Sequence, residues 1–449
     1  MRLVKLTMTK IIPLFILALG FQQIAYSQEN SPYSRYGLGD IAPNRNIFSR
    51  SMGGIAAGMV DYQSINNTNP AALANLTTTI FDIGGEVSYR TLKSASPAKK
   101  FTSANTMFSY LQMGFPLTSP KMYKKDMRWV LGFGLRPVTR INYKIEKNER
   151  TPIDSLNTLY EGSGGLNQAY LGTAFKVKGF SIGVNAGYTF GSKEYSTKLN
   201  FINDTVIYYI SNTATKTTMN GLFANVGVQY ETIFNKDKVG EVPKLLRVGA
   251  YANLQPKLNA KRDDIRETIS YDQSGGTYRI DSVFVQSDVK GKINYPMTIG
   301  AGFSYQGGNW TYGADFETTN WNSYRYYGQT DAVQNSWTVR VGTQYYPAKT
   351  STAAKKYFRF VKYRAGFYYG SDYVKVSSKR SEYAFTLGAG LPLTSLQRIS
   401  YTGEYVVLNT GVELGSRGST ANGNLRENVF RFNIGISMNA RWFQKPKYN

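Results

Sequence analysis

The sequence contains neither cysteine nor histidine. The first absence excludes disulfides, a thiolate nucleophile and a cysteine-linked lipid anchor; the second excludes imidazole bases and imidazole metal ligands. An enzyme is therefore not expected, and neither a metal nor another cofactor is implied. Long apolar runs are almost missing too. Apart from Ile11 to Phe21, no stretch approaches the ~18 residues that a membrane helix requires, and mean hydropathy is −0.35. Acid is scarce beside base, 29 Asp and Glu against 53 Lys and Arg, for a net charge of +24. Such an excess attracts anionic groups. It fits anionic lipid or lipopolysaccharide around the protein, an anionic ligand inside it, or solvation of basic turns containing Lys121, Lys124, Lys125, Lys349, Lys355 and Lys356.

Near the start, Arg2, Lys5 and Lys10 precede the apolar run, and Ala25-Tyr26-Ser27 places small residues where a signal peptidase cuts. Residues 1–27 read as a secretory signal peptide. With that leader, nucleic acid is not an expected partner.

Aromatics and glycine are abundant, with 35 Tyr, 24 Phe, 5 Trp and 43 Gly. They recur with a period of two. From Val429 to Phe443, Phe430, Phe432, Ile434, Ile436, Met438, Ala440 and Trp442 alternate with Arg431, Asn433, Gly435, Ser437, Asn439 and Arg441. An apolar face opposed to a polar one, ending on an aromatic near the terminus, is the pattern of a closing strand in an outer-membrane β-barrel. Phe180 to Phe190 repeats the pattern, as does Trp129 to Arg136. Counting such runs predicts an all-β, transmembrane antiparallel barrel of about fourteen strands over residues 81–443, followed by a periplasmic tail at 444–449. Short turns are expected near 177–179, 306–309 and 392–397. Long outer segments are expected near 142–163, 192–212, 257–290, 318–333 and 409–426, with strands near 104–116 and 397–408 between others. This register puts both barrel ends in the periplasm of a Gram-negative outer membrane.

Trp129, Trp310 and Trp442 then map to periplasmic strand ends, and Trp321 and Trp337 to outer ones, the headgroup depths that indole favours. Arg136, Lys176, Arg247, Arg340, Arg364, Arg431 and Arg441 point into the lumen, with Asp315, Glu317 and Glu404 as partners. A charge facing lipid at mid-bilayer costs ~2–4 kcal/mol, which forces the inward assignment.

Residues 28–80 lack alternation but contain Gly37, Gly39, Gly53, Gly54, Gly58, Pro32, Pro43 and Pro70 together with Ile41, Ile47, Phe48, Met52 and Ile55. A segment this long ahead of a barrel is expected to fold back as a luminal hatch. Pro137, within the third strand, removes a ladder donor and requires an edge, bulge or break.

Asn69-Pro70-Ala71, preceded by the Gly-rich run Ser51 to Gly58, resembles the hatch signature of the outer-membrane long-chain fatty-acid and aromatic-hydrocarbon transporters typified by FadL and TodX. Gly162 to Gly172, Tyr295-Pro296, Trp310 to Asp315 and Trp321 to Tyr324 resemble strands of the same family. Ser31 to Asp40 and Glu427 to Tyr448 resemble its Bacteroidetes version. The resemblance implies a hatch built on Asn69, Pro70, Ala71, Gly53 and Gly54, a third strand kinked at Pro137 to leave a lateral gap, and passive uptake of hydrophobic small molecules such as fatty acids through that gap. Moving sideways avoids exposing an acyl chain to water at ~0.8 kcal/mol per methylene. Arg136 is the expected carboxylate partner. The alternative is a barrel through which nothing passes, acting as a scaffold or cargo shuttle in type IX-like protein secretion, with its basic outer segment 259–292 meeting secretion partners.

Overall fold

The computed structural model describes residues 30–440 apart from 153, 203–205, 207, 235–243, 255–256, 273–275, 351–355, 377 and 395–402. The expected signal peptide, the C-terminal tail, Lys355, Arg441 and Trp442 lie outside the described residues. In chain order the strands are β1 (Asp40–Ile41), β2 (Thr79–Ala95), β3 (Ala98–Pro116), β4 (Met127–Arg150), β5 (Ser155–Val177), β6 (Phe180–Ile202), β7 (Ile210–Phe234), β8 (Lys244–Leu254) and β9 (Lys257–Tyr271). They continue as β10 (Thr277–Asn294), β11 (Thr298–Gly307), β12 (Trp310–Thr319), β13 (Arg325–Tyr326), β14 (Ser336–Tyr345), β15 (Lys362–Val376), β16 (Ser378–Pro392), β17 (Val406–Arg417) and β18 (Arg426–Ala440).

Fourteen of these close an antiparallel barrel. The ring runs from β2 to β8, crosses to β11 through the ladder Thr298↔Asn253 to Gln306↔Leu245, continues through β12, β14, β15, β16, β17 and β18, and closes where Gly435 faces Gly84. Closure gives every ring strand two neighbours, as a sheet in hydrocarbon requires, although β3 and β4 share only a short ladder.

The alternation read from sequence is the alternation of the wall. Phe180, Ile182, Val184, Tyr188 and Phe190 are exposed, while Ser181, Asn185 and Thr189 are buried inside. On β18, Phe430, Phe432, Ile434 and Met438 face out, and Asn433, Ser437 and Asn439 face in. Side chains this apolar, repeated around the ring, form the lipid-facing girdle.

Three expectations need correction. The segments 142–163, 192–212 and 257–290 are mostly strand, not loop. β4 to β7 extend well past the girdle, and β9 pairs with β7 while β10 pairs with β9, adding a hairpin to the same sheet. Polar and apolar residues mix on both faces there, which hides the period of two. The thirteenth barrel strand, β17, is Val406–Arg417, so residues 409–417 are strand rather than outer segment and the connection to β18 is short; Glu404 stands just before this strand, and 397–402 of the expected one lie outside the described residues. Trp321 is 2% exposed and stacks on Tyr373 at 4.3 Å between ring centres, inside the mouth and away from any headgroup.

Candidate functional site

Residues after β1 descend into the barrel and fill its lower half. Ile47, Met52, Ile55, Ala56, Ala57, Ala71, Ala74 and Leu76 are buried. Asn69 caps the 3₁₀ turn Pro70–Asn75, its side chain accepting from Ala71 N, and Pro70 takes the first position where no N–H is needed. The Asn69 amide also donates to Ala57 O at 2.7 Å and Val228 O at 3.2 Å, tying the turn to the rest of the segment and to β7. Gly53 (φ 68°) and Gly54 (φ 83°) make the tight reversal that a side chain would resist. Gly53 N donates to Thr386 Oγ1 at 2.8 Å. Across from it, Gly366 on β15 approaches so closely that a Cβ there would collide with Gly53 N.

Three carboxylates on the inner wall hold this segment. Asp82 accepts from Ser64 Oγ (2.9 Å), Ile65 N (3.3 Å), Gln112 Nε2 (3.0 Å), Tyr110 Oη (3.3 Å) and Ser437 Oγ (2.9 Å). Asp315 accepts from Ala56 N at 2.6 Å and Ala57 N at 2.9 Å. Glu86 pairs with Arg50 at 2.5 Å, and Arg50 reaches Glu413, which also pairs with Arg431. Asp82, Glu86 and Arg50 were not foreseen as site residues. The inward direction of Asp82 and Glu86 follows from the alternation of β2, but the partners Arg50, Ser64 and Ile65 lie on a segment without periodicity.

Above the segment is a cavity of about 260 Å³, lined by Arg45, Arg50, Arg90, Arg136, Arg340, Arg417 and Arg431 and by Asp40, Glu317, Asp372, Glu382 and Glu413. Most of these charges answer one another. Glu317 pairs with Arg45 (2.8 Å) and Arg340 (3.1 Å); Asp40 pairs with Arg90 and Arg417, both at 2.9 Å. Burial alone would raise the Asp40 pKa, but the two guanidiniums outweigh it and hold the carboxyl far below its ordinary range. Lower down, Arg247 (2.6 Å) and Lys176 (3.2 Å) share Glu231. Arg364 donates to Gln344 (2.9 Å) and Asn409 (2.7 Å). Arg136 is 4% exposed, donates to Gln168 Oε1 at 3.0 Å and makes no ion pair among the described residues. The mouth above is closed by an apolar cluster in which Tyr33 and Leu38 from the leading segment pack with Trp321, Tyr324, Tyr373 and Val374.

The wall itself is interrupted beside the cavity. The β3–β4 ladder runs from Pro116↔Val130 only to Leu111↔Leu135; above this β3 keeps β2 as neighbour and β4 keeps β5. Pro137 stands just past the last rung, at a bulge against β5. β1 occupies the break, pairing Asp40 with Arg140 and Ile41 with Thr139. Ala42 N donates to Val138 O, Ser31 N to Asn142 O, each at 2.9 Å, and Asn30 Nδ2 to Lys144 O at 2.7 Å. Asp40 points in and Ile41, 48% exposed, points out. The leading segment thus supplies a short surrogate strand with the same in-and-out alternation as the wall it completes.

A family model described as BamG matches residues 8–449. The chain belongs to the BamG family. No curated protein matches it. Among solved structures, this BamG-family chain is similar to the toluene transporter TodX of Pseudomonas putida (14% identity over 90% of this chain and 99% of that one, TM-score 0.51). It is also similar to the toluene transporter TbuX of Ralstonia pickettii (13%, 90% and 99%, 0.51) and to a Pseudomonas aeruginosa FadL homologue (12%, 89% and 99%, 0.52). At these identities the likeness establishes a shared barrel fold.

Proposed function

We propose that this protein is a closed, non-catalytic outer-membrane barrel that serves as a docking scaffold for partner proteins on the outer side. The observation that carries the proposal is the sheet above the girdle. From Phe190 to Ile202, β6 continues for about 40 Å of strand at ~3.3 Å per residue, and β9 and β10 lie wholly in that region. β10 has no strand neighbour on its outer side from Thr277 to Lys292 among the described residues, and Tyr278, Ile280, Phe284, Val285 and Val283, the last 81% exposed, stand on it. Apolar groups with neither lipid nor core to cover them mark a contact surface, and an unpaired edge receives another strand. The lumen is compatible with the same reading, because most of the charged groups that line its cavity are spent on one another in ion pairs.

Placing a photo-crosslinking amino acid at Val283 in living cells tests this. Discrete crosslinked protein bands are expected, and they should disappear when residues 265–285 are replaced by a tight turn joining the facing residues Asp264 and Gln286. Only lipid adducts at that position would refute the scaffold.

Hatch-gated uptake with lateral exit is the second reading, favoured by the interrupted β3–β4 ladder with Arg136 immediately inside it. The charged cavity then selects a cargo with an anionic head, such as a long-chain carboxylate, with Arg136 as its partner. Uptake of a labelled fatty acid should fall at least tenfold in an Arg136→Gln strain if this reading is right, and should be unchanged if the scaffold reading is.

A further inference from the structure

Basic residues form an arc at the end of the barrel that carries the short turns. The connection from β3 to β4 contributes Lys121, Lys124 and Lys125 around the helical turn Pro120–Lys124, and Arg128 follows at the foot of β4. Lys178 sits in the β5–β6 turn and Lys244 starts β8. The backbone makes the arc continuous. Lys178 N donates to Asp126 O at 2.9 Å, Glu231 N donates to Gly179 O at 2.8 Å, and Lys244 pairs with Phe234 in the β7–β8 ladder. The five lysines are exposed, and neither they nor Arg128 make an ion pair among the described residues. Asp126 is the one exposed carboxylate among the described residues of these turns.

The arc adjoins the lipid-facing girdle directly. Val177 and Phe180 flank Lys178 and are exposed, and Trp129, stacked on Phe175 at 5.4 Å between ring centres, follows Arg128. Tyr123 is exposed beneath the Arg128 guanidinium, which lies 5.8 Å from its ring centre. An aromatic belt with cations just outside it sits at the depth of the headgroups.

We infer that this arc binds the phosphates of anionic phospholipids in the adjacent membrane leaflet, forming a preferred lipid shell over β3 to β8. A phospholipid is the occupant because the same molecule that packs its chains on Phe175, Val177 and Phe180 presents its phosphate at the level of the lysines. An acidic protein would meet the charges but not the girdle. Cations near an anionic surface each add to the attraction, and the sum is screened by salt.

The purified full-length protein is reconstituted in bilayers containing either brominated phosphatidylglycerol or brominated phosphatidylcholine at equal mole fraction, and tryptophan quenching is read. Quenching by the anionic lipid should exceed that by the neutral one at least twofold at about 0.05 M salt and match it at about 1 M, where the Debye length is ~3 Å. The excess should vanish in Lys121→Gln/Lys124→Gln/Lys125→Gln and survive in the corresponding arginine variant. Equal quenching by both lipids in the unaltered protein at low salt overturns the inference, whether or not any variant folds. So does an excess that persists in the glutamine variant but is lost in Lys99→Gln/Lys100→Gln at the other end of β3.

Discussion

Asp315 shows how a single inward carboxylate fastens the luminal segment, since its one oxygen takes both the Ala56 and Ala57 amides. Removing it leaves two buried donors without an acceptor, at about 1–3 kcal/mol each. In Asp315→Ala those two amides should exchange with solvent at least tenfold faster, measured by hydrogen exchange in detergent, while amides of β17 and β18 stay unchanged. Gly366 argues the same point sterically. Gly366→Val drives a side chain into the backbone at Gly53, so the hatch should detach from β15 and cells should become sensitive to large antibiotics that the outer membrane normally excludes; unchanged sensitivity would mean that the hatch does not set the permeability. Asp40 makes a pH prediction. Its folded pKa is depressed below the ordinary 3.8, so its contribution is present in full above about pH 4 and is lost only as pH falls further. Protection of the Ala42 amide against exchange should therefore be flat from pH 8 to about pH 5, and Asp40→Asn should lower it across that whole range.

At the scale of elements, legibility in the sequence followed the solvent. Where one face of a strand meets lipid and the other meets the lumen, as in Phe180 to Phe190, the period of two is plain, and strand, register and inward charges could all be read. β9 and β10 were read as loop because polar and apolar residues mix along them, and Val283-Phe284-Val285 followed by Gln286-Ser287-Asp288 breaks any sustained alternation. Trp321 was misplaced for a related reason, since an aromatic near a strand end reads the same whether it anchors in headgroups or folds inward onto Tyr373. Asn69 and Pro70 take the cap and first position of a 3₁₀ turn, and Gly53 and Gly54 a positive-φ reversal, local backbone roles that suit these residue types. Asp82 and Glu86 were not legible as site residues, because a polar residue on a strand declares its direction in the sequence but not its distant partner, and Arg50 stands on a segment with no period to read. β1 is the least legible of all. Only two residues long, it has its meaning from Pro137 and the lost rungs above Leu135, which leave β4 an open edge that Asp40 and Ile41 fill. Deleting residues 30–41 should unsatisfy that edge, and exchange should rise at Val138, Arg140, Asn142 and their neighbours on β4 and at Leu425, whose amide donates to Tyr33 Oη, but not on β12.

The whole molecule is a stack of three closures in one cylinder: an apolar and carboxylate-pinned luminal segment below, a charged lattice in the middle, and an aromatic cap above. Each is built partly from the leading segment, so this segment contacts the ring from β2 to β18 and couples the plug to the wall. A fourteen-stranded ring emptied of its contents encloses a lumen wide enough for water and ions, by the scaling of diameter with strand number. The filled barrel should therefore be electrically silent in a planar bilayer, whereas a variant in which residues 44–68 are replaced by a short flexible linker should give stable, porin-like conductance steps. The comparison separates the two functional readings. If an anionic amphiphile added to the unaltered protein evokes the same steps, the hatch is a gate and uptake is the working function. If the unaltered protein stays silent with every amphiphile while the emptied one conducts, the interior serves only to hold the cylinder rigid, and the working surface is the outer sheet that ends on β10.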